Sequence, residues 1–423
     1  MLSRFLNQEL WEIREYRAFV GANTVERFAA SALTVMLAFH VYEVRKEALD
    51  IALLGFVQVI PALTVALHGG EVADRHSRRK LVLVTVGLLA LLCAGLVIVS
   101  VTRLWLLVML LVAAFLSATI RAYQTPAAVG LEAQVLPVHL VLKGVPVIST
   151  SGRIADMFGP VVMGFVWAAA GPAVSYGVLA VLFAITYLIF AVRISEKPVP
   201  AAAGSRQRPI TRIYEGIQYV VRNQVLIGSM ALDLFAVFFG GAAALLPIFA
   251  TDILEVGPSG FGLLRAAIAG GALAAAVMSM RFMPRASAGV ALHLIIAGFG
   301  LCMVAFGLST NFYLSMLALF LAGVCDGLSM VIRHAILRLA SPEHMRGRIA
   351  AVRMVFVSSS NELGAVQMGL SASLLGPTRA VVAGGMLTLG VVAAVAWRTP
   401  KLRRLDLGTY GLTPDTPQTV ASS

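Results

Sequence analysis

Long apolar runs recur along the whole of this 423-residue chain, and they decide what it can fold into. The hydrocarbon core of a bilayer is about 30 Å thick, which a helix of roughly 20 apolar residues crosses. The chain contains about twelve such runs, joined by short connectors. Because 59% of the residues are hydrophobic and only 13% are charged, no room remains for a sizeable soluble domain. The runs therefore predict an all-α integral membrane protein.

The predicted spans fall into two groups of six. They cover residues 18–41, 51–69, 81–101, 104–127, 144–169, 172–192, 224–249, 260–281, 289–309, 312–336, 349–374 and 378–397. The longest internal polar stretch, 193–223, separates the groups, and its end, TRIYEGIQYVV, predicts a short amphipathic helix on the cytoplasmic membrane face. We therefore divide the chain into an N-terminal half (1–192), a linker (193–223), a C-terminal half (224–404) and a tail (405–423) that we expect to be disordered.

Basic residues collect in alternate connectors, which is the pattern of cytoplasmic loops. The connector between the second and third spans carries Arg75, Arg78, Arg79 and Lys80. The connectors near 170–175 and 309–311 carry no charge at all. We therefore place both termini in the cytoplasm. The net charge of +12 is a topology signal, and we expect the lipid bilayer, and no nucleic acid, as its partner.

The two halves resemble each other. A shift of 205 residues aligns Pro137 with Pro342, Gly159 with Gly364, Gly164 with Gly369 and Gly171-Pro172 with Gly376-Pro377; a shift of 207 aligns Glu26 with Asp233 and Phe28 with Phe235. Six spans separate the copies, so the halves have the same orientation. Secondary transporters are built from such parallel repeats, with the substrate site near the midplane between them. The repeat predicts a transporter that works by alternating access.

Ionisable residues inside the predicted spans each cost about 2.5–3.5 kcal/mol and mark a partner or a wet cavity. They are Glu26, Arg27, Arg121, Arg153, Asp156, Asp233, Arg265, Asp326, Arg353 and Glu362. Glu26 and Asp233 occupy equivalent places in the first span of each half. They predict cavity carboxylates that bind protons or cationic substrate groups, because a carboxyl in a low-dielectric cavity loads a proton readily. The alternative is a structural salt bridge for each.

The other intramembrane charges allow simpler explanations. Arg121 and Asp326 fall at equivalent places in the fourth and tenth spans, so they either form a coupling pair across the cavity or each pair within their own half. Arg153 and Asp156 are three residues apart on one helix face, and we expect them to pair with each other. Arg333 lies near a predicted cytoplasmic helix end, where snorkelling and topology explain it.

GEVADRHSRRK, residues 70–80, resembles the loop signature G-x-x-x-D-R-x-G-R-R/K of the major facilitator superfamily. The matching residues are Gly70, Asp74, Arg75, Arg78 and Arg79, while Ser77 stands where a glycine is usual. The family's signature also lies between the second and third spans. We expect Asp74 near the start of the third helix, where the helix dipole favours an acid, and interpret the loop as a cytoplasmic latch to the other half.

Two shorter stretches resemble signatures of the same superfamily. IRAYQTP resembles the fourth-span pattern R-x-x-Q-G through Arg121 and Gln124, and the family's arginine is linked to proton coupling. MFGPVVMG resembles the fifth-span antiporter pattern G-P-x-x-G-G through Gly159, Pro160 and Gly164. One glycine of each pattern is replaced here. Small residues and proline at such positions allow close helix packing and a bend.

Stretches of the second half, among them LDLFAVFFGGAAALLPIFATDIL and MRGRIAAVRMVFVSSSNELGA, resemble the branch that contains bacterial enterobactin exporters and macrolide-efflux proteins. The resemblance extends over residues 10–405. It implies the major facilitator fold of twelve transmembrane helices in two pseudo-symmetric halves, located in the bacterial inner membrane. It also implies a proton-coupled exporter, an antiporter of an amphipathic small molecule such as a drug or siderophore, and we expect a monomer. The alternative is an importer or facilitator of a small metabolite on the same fold.

The resemblance further implies a substrate cavity walled by the first, fourth, seventh and tenth spans. Phe28, Gln124, Phe235 and Phe239 are its candidate substrate contacts, although helix packing is the commoner role for the phenylalanines. The sequence has no HExxH, GxSxG or convincing metal-ligand cluster, so we expect no enzyme and no bound metal. The absence of GxxxxGK[ST] disfavours an ATP-driven pump. A proton gradient, with no cofactor, is the expected energy source.

Overall fold

A computed structural model describes residues 8–198, 209–280, 287–342 and 345–406. Its first helices are α1 Gln8–Glu12, α2 Arg14–Arg45, α3 Ala48–Thr64, α4 Ala66–Arg75, α5 Arg78–Thr102, α6 Leu106–Val135, α7 Val141–Arg193 and α8 Pro209–Arg222. The others are α9 Gln224–Gly240, α10 Leu246–Ile248, α11 Gly257–Ser279, α12 Ala288–Leu308, α13 Phe312–Ala340, α14 Arg346–Leu375, α15 Pro377–Arg398 and α16 Pro400–Arg403. A π-helical turn, Phe249–Ile253, follows α10.

Every predicted span falls on these helices, which confirms an all-helical membrane architecture. Within the described residues, eight helices are long and apolar enough to cross a membrane, or nine if the bent pair α3 and α4 counts as one span. The count treats α7 as a single helix, although its 53 residues hold two predicted spans. The spans predicted at 18–41 and 349–374 fall on α2 and α14, whose charged and polar side chains lower their hydropathy.

The break inside α7 comes from a glycine that the internal repeat had already marked. Gly171 has a φ of 77° and a ψ of −178°, a backbone conformation that residues with a side chain rarely adopt. Pro172 follows it. Its counterpart Gly376 has a φ of 84° and precedes Pro377, where α15 begins. The repeated Gly-Pro pair therefore has the same conformational role in both places. It ends one helix and starts the next.

The helices form two compact units. The first contains the described parts of Met1–Ser205, Ala243–Ala269 and Gly369–Pro377, and the second contains those of Arg206–Ala242, Gly270–Met368 and Thr378–Ser423. In the first unit α7 packs along α2 and α5, and in the second α13 packs along α12. The unit boundaries fall inside α11 and α14. The division predicted at 1–192, 193–223, 224–404 and 405–423 stays a prediction.

The structure has a helix, α8, where TRIYEGIQYVV predicts an amphipathic one, and its position on the cytoplasmic membrane face stays a prediction. Val220 on one face is buried in the core of the second unit, together with Leu226, Ile336 and Leu402. Glu215 on the same helix forms an ion pair with Arg348 of α14. The helix is therefore fixed by both apolar packing and charge. Residues 199–208 of the linker and 407–423 of the tail lie outside the described part of the chain.

Candidate functional site

Three charged residues meet in the second unit. Asp326 and Arg333 are seven residues apart on α13, which places them two turns apart on one helix face. Arg333 forms an ion pair with Asp233 of α9, and its Nη2 lies 3.6 Å from Oδ1 of Asp326. Ser329, one turn before Arg333, accepts from that guanidinium through its hydroxyl (3.1 Å) and its carbonyl (3.2 Å). One arginine is thus shared between two carboxylates.

Arg333 corrects the sequence interpretation, which explained it by topology and snorkelling. Its side chain is only 10% exposed, and Asp233 is 16% exposed. The predicted span ended at 336, but α13 continues to Ala340, so Arg333 lies almost two turns inside the helix. A charge this deep needs a counter-ion rather than a membrane surface. The seven-residue spacing from Asp326 was the signal that the sequence offered.

A cavity of about 130 Å³ adjoins this cluster. The charged residues that line it are Asp233, Asp326, Arg333 and Arg353. The other lining residues have hydroxyl, amide, aliphatic or thioether side chains. The mixture matches the usual composition of a small-molecule pocket, in which a few polar groups orient a ligand among apolar ones. The second unit therefore contains both a carboxyl-arginine cluster and space beside it.

The first unit brings two other predicted residues together. Gln124 of α6 donates to Oε1 of Glu26 on α2 at 2.9 Å. Arg121, one turn before Gln124, donates to the hydroxyl of Thr34 at 2.8 Å. Within the described part of the chain Glu26 has no ion pair. It is a partly buried carboxyl held in place by a neutral amide.

Asp156 pairs with a different arginine from the one expected. It forms an ion pair with Arg27 of α2, whereas Arg153 is exposed. Ser31, one turn after Arg27, donates to the backbone carbonyl of Asp156 at 2.9 Å. The expected i,i+3 pair within α7 is therefore wrong. The packing of α2 along α7 offers Asp156 a partner that spacing along one helix cannot reveal.

Arg121 and Asp326 each have a partner inside their own unit. Arg121 binds Thr34, and Asp326 approaches Arg333.

Of the predicted aromatic contacts, Phe235 and Phe239 stack one turn apart on α9, with ring centroids 6.0 Å apart. Neither lines the 130 Å³ cavity. Their role as substrate contacts, like that of Phe28, stays a prediction.

The fifth-span signature serves close helix packing. A Cβ at Gly159 would lie 2.5 Å from the carbonyl oxygen of Phe28 on α2. A Cβ at Gly164 would lie 2.7 Å from that of Pro258 on α11, and one at Gly262 would lie 2.6 Å from that of Pro160. These are backbone atoms, which cannot move aside as a flexible side chain would. The glycines thus let α7 touch α2 on one side and α11 on the other.

Gly164→Val tests the contact with α11. Overpacking a tight interface costs about 1–3 kcal/mol, so we expect transport to fall by about tenfold. Gly177→Val is the matched control on the same helix, because a Cβ there has only one neighbour, at 3.9 Å. The measurement is substrate efflux at equal membrane protein. Equal rates for both variants would show that close approach at Gly164 is dispensable.

In the loop signature, Arg78 and Arg79 attach the start of α5 to neighbouring helices. Arg78 donates to the carbonyl of Gly130 at 3.0 Å, and Arg79 donates to that of Ala191 at 2.7 Å. Ser77 has extended backbone angles and caps α5, accepting from the Lys80 N–H at 3.5 Å. No left-handed turn is needed there, so the missing glycine costs nothing. The Lys80 ammonium also lowers the pKa of the exposed Glu196 carboxyl through a hydrogen bond.

The glycine that the loop region needs is one that the sequence reading missed. A Cβ at Gly69 would lie 2.3 Å from the carbonyl oxygen of Ala122, while one at Gly70 would meet nothing within 4 Å. Gly69 therefore permits α4 to touch α6, and Gly70 does not serve packing. Asp74 is 77% exposed and lies 3.5 Å from Arg78, one turn on, while Arg75 pairs with Glu71.

Comparison with known sequences gives a match to a family described as transmembrane secretion effector, over residues 12–418. Among characterised relatives, the enterobactin exporter EntS of Escherichia coli O81 (strain ED1a) is 24% identical over 400 residues, covering 92% of this chain and 90% of the relative. The enterobactin exporter EntS of Shigella boydii serotype 18 (strain CDC 3083-94 / BS512) has the same identity and coverage. The similarity thus extends over nearly the full length of both chains.

Several solved transporter structures have the same fold. The nucleoside transporter NupG has a TM-score of 0.69 at 14% identity, covering 92% of this chain and 99% of that one. The peptide transporter POT in complex with sulfate has a TM-score of 0.72 at 16% identity, covering 93% and 96%. A bacterial homologue of the human lysosomal transporter Spinster, inward-facing and unoccupied, has a TM-score of 0.67 at 14% identity, covering 94% and 98%. At these identities the likeness establishes the fold.

Proposed function

Since this chain belongs to the transmembrane secretion effector family of the major facilitator superfamily, and is therefore a multi-pass secondary transporter and not an enzyme, we propose that it is a proton-coupled exporter of an amphipathic small molecule. The observation that carries the proposal is the sharing of Arg333 between Asp233 and Asp326 at the wall of a cavity. When one of the two aspartates is protonated, the arginine can shift its ion pair to the other.

The coupling mechanism follows from that sharing. When a proton neutralises Asp233, Arg333 loses one of its two anionic partners and turns fully to Asp326. A bound molecule that uses Asp326 is then displaced by the guanidinium. Loss of the proton to the cytoplasm returns Arg333 to Asp233 and frees the site for the next substrate. Proton and substrate thus exclude each other, which exchange requires.

Glu26 is the second proton carrier in this proposal. Its carboxylate forms no ion pair among the described residues, and it accepts a hydrogen bond from the Gln124 amide. In a low-dielectric interior such a group is stabilised by taking up a proton. In the proposed alternating-access cycle, protons enter from the periplasm and substrate enters from the cytoplasm.

Export, rather than import, is supported by the full-length similarity to enterobactin exporters and by the antiporter-like Gly159-Pro160 and Gly164 packing. The same similarity supports a bacterial inner-membrane location, and alternate basic loops support cytoplasmic termini. The substrate class, a drug or a siderophore, rests on the relatives alone. An importer of a small metabolite is the competing function.

A deletion strain and a complemented strain test the substrate and the direction together. The panel measures susceptibility to macrolides such as erythromycin and secretion of a siderophore such as enterobactin. We expect the deletion to raise sensitivity or retain siderophore inside the cell, with complementation reversing it. In everted vesicles, uptake of the macrolide or siderophore that the deletion identifies should require an energised membrane and should stop when an uncoupler is added. Uptake by intact cells that the deletion abolishes would instead establish an importer.

Asp74→Asn tests the proposed cytoplasmic latch. Because exposed ion pairs are worth about 0–1 kcal/mol, loss of the Asp74–Arg78 contact should leave folding unchanged. A latch role predicts about fivefold slower transport, which corresponds to roughly 1 kcal/mol. The exposed Arg75–Glu71 pair supplies the control, Glu71→Gln. Normal transport in Asp74→Asn would leave the loop as a topology marker only.

A further inference from the structure

Arg353 is a charged residue that lines the second-unit cavity. The proposed coupling mechanism does not use this residue. It lies on α14 and faces the same cavity as Asp233, Asp326 and Arg333. Its Nε is buried and has no hydrogen-bond partner, while the side chain as a whole is partly buried. A guanidinium has five N–H donors and no acceptor, so this N–H can be satisfied only by an acceptor atom.

The two aspartates of the cavity lie beside Arg333. Arg333 pairs with Asp233 and approaches Asp326 at 3.6 Å, and Ser329 accepts from it as well. The unpartnered Nε–H of Arg353 is therefore available to a molecule that enters the cavity. A planar carboxylate or similar anion fits a guanidinium fork.

Asp326 supplies a second contact point for the same molecule. It is 41% exposed, whereas Asp233 is 16% exposed, so part of its carboxylate remains open to a hydrogen-bond donor. The cavity of about 130 Å³ is close in size to an engineered cavity of roughly 150 Å³ that binds benzene, so it is of the size of a single ring. Met330 and Leu337 on α13 offer apolar contact to such a ring.

We propose that the cavity binds an anionic group of the transported molecule through Arg353, with a hydroxyl of the same group donating to Asp326. This inference rests on the proposed transport function and names the substrate class of that site: hydroxylated acids.

The experiment uses three probes of one shape and different charge. Detergent-purified full-length protein is dialysed to equilibrium against labelled 3-hydroxybenzoate, with 3-hydroxybenzamide and 3-hydroxybenzylamine as unlabelled competitors. We expect 3-hydroxybenzoate to bind at least about tenfold more tightly than the neutral and cationic analogues. Arg353→Gln should weaken its binding by at least about tenfold, and Arg353→Lys should fall between, because it keeps the charge but not the fork.

Arg338→Gln is the matched control, because Arg338 is an exposed arginine at the end of α13 and does not line the cavity. Thermal unfolding of each variant separates lost binding from lost folding, and Arg353→Lys carries the test if Arg353→Gln does not fold. Equal or tighter binding of 3-hydroxybenzylamine, unchanged binding in the Arg353 variants, or no binding of 3-hydroxybenzoate to the wild type would overturn the proposal. The assay involves no proton gradient, so its outcome is independent of whether transport is proton-coupled.

Discussion

Asp233→Asn is expected to reduce proton-driven substrate accumulation in everted vesicles to the level of vesicles that lack the protein. Asparagine keeps the shape of the side chain but cannot carry a titrating proton. Arg333 retains Asp326 and Ser329 as partners in the variant, so the protein should still fold and insert. Removing both acids would instead leave a buried arginine alone, at a cost of about 3–5 kcal/mol.

The competing explanation is that Asp233 only neutralises Arg333. The charge swap Asp233→Arg/Arg333→Asp separates the two, because it rebuilds the ion pair in reverse. A purely structural pair predicts that the swap restores transport. A proton carrier predicts restored membrane yield without restored proton-coupled transport. Glu255→Gln is the control for loss of an acid, since Glu255 is exposed in the connector before α11.

Glu26→Gln is expected to abolish net proton-driven transport in the same way. The glutamine oxygen can still accept from the Gln124 amide, so the 2.9 Å contact between α2 and α6 is preserved. Energy-independent exchange of labelled for unlabelled substrate across the membrane should survive, because it requires movement of the halves but no change in protonation. Measuring net efflux and exchange on one preparation distinguishes a coupling defect from an unfolded protein.

Glu12→Gln provides the matched control in the first unit, where Glu12 is an exposed end residue of α1. If Glu26→Gln keeps full proton-driven efflux, Glu26 has no part in coupling, and Asp233 becomes the sole candidate among the two. If exchange is lost along with net efflux, Glu26 is a structural residue. Only loss of net efflux with retained exchange supports its proposed role.

The sequence predicted the helices well because their cause is local. An apolar run long enough to cross the bilayer must be helical, since its backbone groups have no water to bond. The same logic located α8 from its amphipathic pattern, and the Gly171-Pro172 repeat marked the break in α7. Each of these features depends on residues that are close together in the chain.

The sequence predicts ion-pair partners poorly, because the packing of the helices determines which charged side chains meet. Spacing along α7 predicts Arg153, three residues away, as the partner of Asp156, yet Asp156 pairs with Arg27, which is 129 positions distant. The apolar run predicts a helix end at 336 and hence a position near the membrane surface for Arg333, but α13 ends at 340. Spacing identifies residues on one face of one helix, but it does not say which second helix covers that face.

The glycines show the same limit. The fifth-span pattern correctly drew attention to Gly159 and Gly164, whose contacts with α2 and α11 leave no space for a side chain. The loop pattern drew attention to Gly70, while the glycine in close contact with another backbone is its neighbour Gly69. A signature thus located the right segment, and only the packed structure identified the residue.

Proton-coupled export through the Asp233–Arg333–Asp326 cluster is tested most directly in proteoliposomes. Wild-type and Asp233→Asn protein are reconstituted, a pH gradient is imposed, and accumulation of the panel's substrate is followed together with internal pH. We expect the wild type to accumulate substrate while protons leave the lumen, and the variant to do neither. Substrate accumulation by Asp233→Asn at the wild-type rate, with the same proton movement, would contradict the mechanism.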